Sequence, residues 1–267
     1  MAREDYLMAG QFSELERLKL QAQVWEPTGR ELLETLGEGT GRRGVDVGCG
    51  AFGWLRLLSE WVGPTGQVIG TDIDPALLAA ASSFLCTERL DNVELVQDDL
   101  FASQLEPGSF DLVHARFQLA PLGRAAEQIA AYRSLLAPGG VLVLEDPDTT
   151  SWHFSPPAPA AQRLIELTLQ AFLAAGGDLD AGRSLPHLLA DIGPEPSIRT
   201  AVLELPAHHP YLRLPIQFSV SLEPRLLAQV TLPELCQLRA QAEQELTDPS
   251  RSGTTFTLVQ SWVALPS

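Results

Sequence analysis

From residue 44 to residue 146 the chain alternates between short apolar runs and stretches with helical periodicity. The first run ends in glycines, the second, third and fifth end in acidic residues, and stretches with apolar residues three or four apart lie between the runs. Strands that alternate with helices in this way are typical of a parallel sheet covered by helices on both faces. The predicted strands lie within residues 44–53, 66–75, 92–100, 109–117 and 141–146.

Two helices are predicted before the first strand. Apolar residues at helical spacing occupy residues 11–23, Pro27 interrupts the pattern, and residues 28–36 form a second helix that Gly37 stops. In one interpretation both helices cover an edge of the sheet. In the other, the first helix, with Tyr6 ahead of it, closes over a ligand, and the sequence does not choose between the two.

The pattern changes after the fifth predicted strand. Two further strands are predicted, and between them lie helical stretches near 214–230 and 233–246. Because this insertion is too long for an ordinary connection, we expect it to form a cap over the active site. The other predicted elements are a proline-rich segment at 155–159, helices at 160–175 and 183–192, and the two strands at 197–205 and 254–263.

Composition and charge narrow the classes of partner. The 267 residues are 45% hydrophobic and 19% charged, which is enough apolar surface for a sizeable core. The 34 acidic and 18 basic residues give a net charge of −16, which disfavours nucleic acids and anionic membranes as partners. Three widely separated cysteines predict neither a disulfide framework nor a metal site. With no signal-peptide pattern and no long apolar run, we expect a soluble cytoplasmic protein.

The segment GVDVGCGAFG, residues 44–53, predicts a strand, a tight turn and a helix. Glycines at such a turn let a nucleotide-like ligand approach the backbone. The spacing alone fits dinucleotides, other nucleotides or a turn that binds nothing. Asp46, two residues before Gly48, would repel a pyrophosphate and attract a sulfonium group. This charge favours S-adenosylmethionine over NAD.

Acidic residues follow the second and third predicted strands. In nucleotide-binding folds an acidic residue about 20 residues after the glycines reaches the ribose hydroxyls. Asp72 lies close to this position in the chain. Asp74 precedes Pro75 and is predicted to be the N-cap of the next helix. Asp99 could accept from an adenine amino group, whereas Asp98 could equally be a solvated turn residue.

The fourth predicted strand carries two further polar residues. We expect His114 to pack against a helix as a neutral imidazole. Arg116, at the carboxyl end of the strand, is the better candidate to bind a ligand carboxylate.

Taken together, VDVGCGAFG, VIGTDIDP, VQDDL, FDLVHARF and LLAPGGVLVLEDPD resemble the class I S-adenosylmethionine-dependent methyltransferases, in their small-molecule, ubiquinone/menaquinone-methyltransferase-like branch. The resemblance covers roughly residues 28–150. It implies an α/β fold: a Rossmann-like, mostly parallel seven-stranded sheet with an antiparallel last strand, helices on both faces and a helical lid. The implied domains are an N-terminal helical lid segment at 1–27, a cofactor-binding core at 28–206 with a helical insertion at about 155–180, a helical cap at 207–252, and the final strand of the core sheet at 253–267.

The resemblance also implies the residues that hold S-adenosylmethionine, whose product is S-adenosylhomocysteine, and it implies no metal. In the family a third glycine comes two residues after Gly50, where this chain has Phe52, with glycine at Gly53. Phe52 is therefore expected to narrow the floor beneath the methionine tail. The implied contacts are Asp46, Gly48 and Gly50 along the methionine part, Asp72 on the ribose, Ile73 packed on adenine, Asp99 and Leu100 at the adenine edge, and the Ala115–Arg116 backbone beside the methionine amino group.

A general base is needed only if the methyl acceptor arrives protonated. Histidine has a suitable unperturbed pKa, about 6.5. The candidates are His153, after the fifth strand, and His208 and His209, after the sixth, although a structural role is favoured for each taken singly. Glu145 and Asp146 are further candidates, as a base or as a substrate anchor.

Aromatic residues of the predicted cap suggest an apolar or ring-bearing small-molecule substrate, although they could equally form the cap's own core. Three functions remain open: methyl transfer to a small molecule, a cyclisation or rearrangement at the same cofactor site, and an NAD-dependent oxidoreductase or non-catalytic binder. The sequence leaves open whether the chain forms a homodimer. The aromatic residues are Trp152, Phe154, Phe172, Tyr211 and Phe218.

Overall fold

Strands alternate with helices along the first half of the chain, as the hydrophobic pattern predicts. The computed structural model describes residues 12–193 and 196–266. Within these residues the strands are β1 (Arg43–Val47), β2 (Gln67–Asp72), β3 (Val93–Gln97), β4 (Phe110–Arg116), β5 (Leu136–Asp148), β6 (Phe154–Ser155), β7 (Ser197–Ala201), β8 (Glu204–Leu205), β9 (Ser252–Thr254) and β10 (Thr257–Ala264). The α-helices are α1 (Phe12–Leu36), α2 (Leu55–Val62), α3 (Pro75–Glu88), α4 (Leu119–Leu122), α5 (Ala125–Leu135), α6 (Pro159–Ala174), α7 (Leu185–Leu189), α8 (Leu214–Ser221), α9 (Glu223–Leu226) and α10 (Leu232–Leu246).

The main sheet has seven strands in the order β3-β2-β1-β4-β5-β10-β7. Strands β1 to β5 pair in parallel, and β10 is antiparallel to both of its neighbours, β5 and β7. This arrangement confirms the predicted fold class, including the antiparallel last strand. Val47 pairs with Thr71 and with Ala115, so the carboxyl ends of β1, β2 and β4 are level. The loops that follow these strands therefore meet at one edge of the sheet.

Helices cover both faces of this sheet. On one face Leu32 of α1 and Leu58 of α2 pack with Leu112 of β4. On the other face Tyr132 of α5 and Leu185 of α7 belong to a second apolar cluster. Because β1 and β4 are covered on both faces, most of their residues are buried, including the polar Asp46 and His114.

The two predicted N-terminal helices are one helix, α1, which continues through Pro27. Proline removes the hydrogen bond to the carbonyl four residues earlier, which belongs to Gln23. Pro27 and Gln23 are both exposed, so that carbonyl can be hydrated. Trp25 and Thr28 beside them are buried, and their packing holds the helix together across the break. The prediction of an interruption at Pro27 was wrong for this reason.

Two insertions in the second half of the chain share one apolar cluster with Trp25 of α1. Helices α6, α8 and α10 contribute Leu164, Phe218 and Leu235 to it. A small sheet in the order β6-β9-β8, which the sequence pattern did not predict, ties together the points where the insertions leave and rejoin the core. Its strands have only two or three residues, too few for a periodic signal.

Two predicted helices are shorter than expected. The stretch near 214–230 is divided into α8 and α9, with Pro224 in the first turn of α9. The stretch at 183–192 contains a 3₁₀ turn followed by the short helix α7. Among the described residues, no helix has both the length and the apolar character that a membrane span requires.

Candidate functional site

A cavity of about 1330 Å³, including the part open to solvent, lies at the carboxyl edge of the sheet. Its two halves differ in chemistry. One half is formed by the β1–α2 turn and by the acidic ends of β2 and β3. The other half is formed by phenylalanine and leucine side chains from β4, the two insertions and the segment before β10.

The β1–α2 turn forms the floor of the first half. Gly48 and Gly50 both have left-handed backbone conformations, with φ of 66° and 58°. A Cβ on Gly48 would lie 2.2 Å from the side chain of Gln118. A Cβ on Gly50 would meet only Leu18 Cδ1, at 3.8 Å, and would project into the cavity. The turn thus leaves room above Gly50 for a ligand that a side chain would displace.

Asp46 is buried beneath this turn and both of its carboxylate oxygens have partners. Oδ1 lies 2.7 Å from His114 Nδ1, and Oδ2 accepts the Trp54 N–H at the start of α2, also at 2.7 Å. A Cβ on Gly53 would lie 2.3 Å from Oδ2, so glycine is needed at 53 to admit the carboxylate. The displaced third glycine follows from this contact, and Phe52 packs edge-on against Phe84 at the cavity.

The charge of Asp46 is therefore shared with a histidine and a helix N-terminus. The preference for S-adenosylmethionine over NAD rested on this charge lying beside the ligand, and that contact stays a prediction. Asp46 still lines the cavity, but its main contacts hold the turn in place.

His114 is fully buried between two carboxylates and stacks on Trp54, with ring centroids 3.9 Å apart. Its Nε2 lies 3.2 Å from Glu145 Oε2. Burial alone lowers the pKa of His114, but Asp46 and Glu145 outweigh burial and raise the pKa above its usual value. The ring is packed as expected, and the two acids on adjacent strands favour its protonated form over the neutral form that was expected.

Glu145 and Asp146, proposed as a base or an anchor, do not line the cavity. Glu145 is buried, where desolvation raises its pKa, but His114 and Arg116 lower the pKa below its usual value overall. Asp146 accepts the backbone N–H groups of Leu119 and Ala120 at the start of α4. Burial nevertheless raises the pKa of Asp146 to about 7. Both residues therefore connect structural elements.

Asp72 and Ile73 line the cavity beside the glycine turn. Asp72 Oδ2 accepts the Gly50 N–H and Oδ1 accepts the Asp74 N–H, each at 2.9 Å. Burial raises the pKa of Asp72, and these N–H groups oppose the rise. Asp74 accepts the Ala76 N–H at 2.8 Å, which confirms its predicted role as the N-cap of α3.

The end of β3 also borders the cavity. Asp98, Asp99 and Leu100 all line it. Asp99 accepts the Phe101 N–H at 3.0 Å, and Asp98 accepts the Gln104 N–H at 2.9 Å. Both acids therefore shape the loop as well as facing the cavity.

At the end of β4, Arg116 lines the cavity, whereas the buried side chain of Ala115 does not. Phe117 follows with a φ of 57°, a conformation that is strained for an aromatic residue. Its N–H donates to the Glu145 carbonyl at 2.7 Å. This turn directs the Phe117 ring toward Phe256 in the other half of the cavity.

None of the three candidate histidines lines the cavity. His153 is exposed, and its Nδ1 lies 2.8 Å from the Ser151 carbonyl oxygen. His209 Nδ1 accepts the Tyr211 N–H at 3.2 Å, and burial lowers the pKa of His209. His208 is exposed in a left-handed conformation. A position just after a strand was the only signal for these residues, and it does not fix the direction of a side chain.

The predicted aromatic set is divided by the structure. All five belong to one apolar cluster, and of them only Phe172 and Phe218 also line the cavity. Sequence reasoning missed several lining residues because their contacts are distant along the chain. These residues are Arg17, Leu18, Gln21, Phe117, Leu179 and Phe256.

Three of the missed residues lie on α1, which reaches over the cavity. Arg17 donates from Nε to Glu14 at 3.0 Å and from Nη1 to Gln21 at 2.7 Å, and its guanidinium lies 5.2 Å from the Phe218 ring centroid. Helix α1 therefore contacts both the glycine turn and the cap. Tyr6, which was expected to assist this helix, lies outside the described residues.

Residues 45–140 match the sequence family described as a methyltransferase domain. The chain carries a class I S-adenosylmethionine-dependent methyltransferase domain. S-adenosylmethionine is the cofactor of this domain class, so the match contradicts the dinucleotide-dependent alternative.

Two relatives are similar to part of the chain. An uncharacterized 37.1 kDa protein in transposon TN4556 of Streptomyces fradiae is 31% identical over 162 residues, which are 61% of this chain and 46% of the relative. Demethylmenaquinone methyltransferase of Staphylococcus aureus is 32% identical over 123 residues, which are 46% of this chain and 49% of the relative. The chain spans about half the length of each relative.

A solved structure extends the similarity of fold to the whole chain. Phosphoethanolamine N-methyltransferase 2 of Haemonchus contortus, in complex with phosphomonomethylethanolamine and S-adenosylhomocysteine, superposes with a TM-score of 0.61 at 15% identity. The alignment covers 100% of this chain and 61% of that protein. At this identity the similarity concerns the fold.

Proposed function

We propose that the protein transfers a methyl group from S-adenosylmethionine to a small molecule with an apolar or aromatic body. The observation that carries the proposal is the single cavity that joins the glycine turn of the methyltransferase domain to a cluster of phenylalanines. One ligand at each half would place a methyl donor beside an apolar acceptor, with water excluded between them.

In this proposal the first half of the cavity holds the cofactor. The methionine part lies over Gly48 and Gly50, where Cβ atoms are absent, and Asp46 fixes the turn beneath it. Asp72 accepts from the ribose hydroxyls. Ile73 packs on adenine, the adenine edge meets Asp99 and the Leu100 N–H, and the Ala115–Arg116 backbone flanks the methionine amino group.

The second half of the cavity holds the acceptor. Phe117 and Phe256 are 5.7 Å apart and Phe172 and Phe218 are 6.2 Å apart, both as edge-to-face ring pairs. Rings in this arrangement present apolar edges and faces on which a flat or branched apolar molecule can pack. Leu179 completes this wall.

Methyl transfer forms a bond between the acceptor and the methyl carbon while the carbon–sulfur bond breaks. The electron pair of that bond goes to sulfur, which leaves S-adenosylhomocysteine. The protein accelerates the transfer mainly by aligning the acceptor with the methyl group, which can lower the activation free energy by up to about 7–11 kcal/mol in favourable cases.

The acceptor atom is expected to be nucleophilic without help from a protein base. Along the part of the cavity formed by described residues there is no histidine, and the four lining aspartates accept backbone N–H groups. A thiolate, a carboxylate or an amine with a free electron pair meets this requirement, whereas an alcohol or a carbon acid does not.

Thermal unfolding with added S-adenosylhomocysteine tests cofactor binding. At 100 times its dissociation constant a ligand stabilises the fold by about 2.7 kcal/mol, a shift of roughly 5–10 °C for a protein of this size. NADH is expected to give no shift. Asp72→Ala is expected to abolish the shift with S-adenosylhomocysteine, and an unchanged shift would contradict the ribose assignment.

The transfer itself is tested with methyl-labelled cofactor and a metabolite extract from the source organism. We expect a labelled small product and stoichiometric S-adenosylhomocysteine. A cyclisation or rearrangement, which also needs no base along the cavity, would instead turn over without consuming the methyl group, and that result would replace this proposal.

A further inference from the structure

Arg116 occupies an unusual place at the end of β4. Its side chain is only 8% exposed, yet it lines the cofactor cavity and also a second cavity of about 1210 Å³ between α1, α2 and α3. Phe52 and Gly53 line both cavities as well. The guanidinium of Arg116 therefore lies at the junction of two open spaces, next to the glycine turn.

Among the described residues, the Arg116 guanidinium has no hydrogen-bond acceptor within range. Its nearest carboxylate oxygen is Glu145 Oε2, 3.9 Å from Nε, which is too far for a hydrogen bond. Glu145 is already engaged, because Oε2 faces His114 and Oε1 accepts from Gln260 at 2.5 Å. The Arg116 donors are thus available in the cavities that the residue lines, where a ligand could supply acceptor oxygens to them.

The second arginine at the cavity, Arg17, is in a different state. Its guanidinium donates to both Glu14 oxygens and to Gln21. The donors of Arg17 are committed to its own helix, whereas those of Arg116 face the cavities. The structure thus distinguishes an arginine that supports the cap contact from one that is placed to bind a ligand.

We propose that Arg116 binds the α-carboxylate of the cofactor through its side chain. The inference rests on the proposed function, in which the backbone of Ala115 and Arg116 flanks the methionine amino group. The amino group and the carboxylate share one carbon, so the carboxylate must lie within a few ångströms of the same residue. The aspartates along this half of the cavity would repel that carboxylate, and a guanidinium offers it two parallel hydrogen bonds.

The test pairs two ligands with the wild-type protein and variants at Arg116. S-adenosylhomocysteine carries the carboxylate, and S-adenosyl-3-thiopropylamine is the same molecule without it. By titration calorimetry, Arg116→Met should lower the affinity for S-adenosylhomocysteine by about 10- to 100-fold. The affinity for the thiopropylamine should stay within twofold of the wild-type value. Arg116→Lys keeps the positive charge but cannot donate two parallel hydrogen bonds. It should therefore cause an intermediate loss of affinity for S-adenosylhomocysteine and none for the thiopropylamine.

Arg56→Met is the matched control, because Arg56 lines the second cavity but pairs with Glu26 and Glu88. It should leave both affinities unchanged. An equal loss of affinity for both ligands in Arg116→Met would assign Arg116 a structural role and overturn the inference. An unchanged affinity for both ligands would also overturn it. Failure of the wild-type protein to bind S-adenosylhomocysteine would instead overturn the proposed function.

Discussion

The two halves of the cavity are built by different means. In the cofactor half, carboxylates hold backbone N–H groups that are close along the chain or on the next strand, such as Asp46 with Trp54 and Asp72 with Gly50. In the aromatic half, side chains from distant segments meet only through packing, as Phe172 and Phe218 do. The first half is therefore sensitive to charge and backbone geometry, and the second to side-chain volume.

The largest expected effect concerns the buried charges of the cofactor half. His114→Leu leaves the buried carboxylates of Asp46 and Glu145 without the imidazole between them, which should cost about 3–5 kcal/mol of unfolding free energy at pH 7. The raised pKa of His114 means that its contribution is fully present below about 6.5 and is lost as pH rises through the folded value. Urea unfolding from pH 6 to pH 9 measures both effects, and a loss below about 1 kcal/mol at pH 7 would contradict the network.

Backbone geometry in the same half gives the next effect. Gly53→Ala brings a Cβ to 2.3 Å from Asp46 Oδ2 and 2.6 Å from the Cys49 carbonyl oxygen, and should cost about 2–4 kcal/mol. Gly37→Ala, at the end of α1, is the matched control: its φ is 81° and a Cβ there meets nothing within 4 Å, so about 1–2 kcal/mol is expected. Equal losses in urea unfolding would show that backbone strain alone, and not the approach of Asp46, requires glycine at 53.

The stability of the fold should depend on pH through Asp146, which accepts the backbone N–H groups at the start of α4. The folded pKa of Asp146, about 7, exceeds its usual 3.8, so stability falls as pH rises between these values because folding favours the protonated form. Asp146→Asn should match the wild type near pH 4 and exceed its unfolding free energy at pH 8 by about 1–3 kcal/mol. A variant that is less stable than the wild type at pH 8 would show that the charged form is the one that supports α4.

The smallest stability effect is expected in the aromatic half. Phe172→Leu and Phe218→Leu should each cost about 1–2 kcal/mol, because leucine keeps most of the buried apolar volume that each ring contributes to the cluster. The affinity for S-adenosylhomocysteine should stay within twofold, while turnover of the acceptor falls. A large loss of cofactor affinity in either variant would contradict the division of the cavity into two halves.

The local sequence pattern was sufficient to predict structure where residues that are neighbours in space are also neighbours in sequence. The strands of the sheet, the N-cap role of Asp74 and the glycine turn followed from runs of a few residues. Local pattern failed at Pro27, where packing of Trp25 and Thr28 keeps one helix intact. It also did not identify the partners of His114, because Asp46 and Glu145 come from two other strands.

The sequence by itself determined the class of the fold and the location of the cofactor end of the cavity. Apolar runs specify buried parallel strands, and the ends of such strands must meet at one edge. Tertiary structure alone decided which residues line the aromatic half of the cavity, the small sheet that ties the insertions together, and the absence of a hydrogen-bond partner for Arg116 among the described residues. Helical periodicity states which face of a helix is buried, but the partner of that face depends on how distant segments pack.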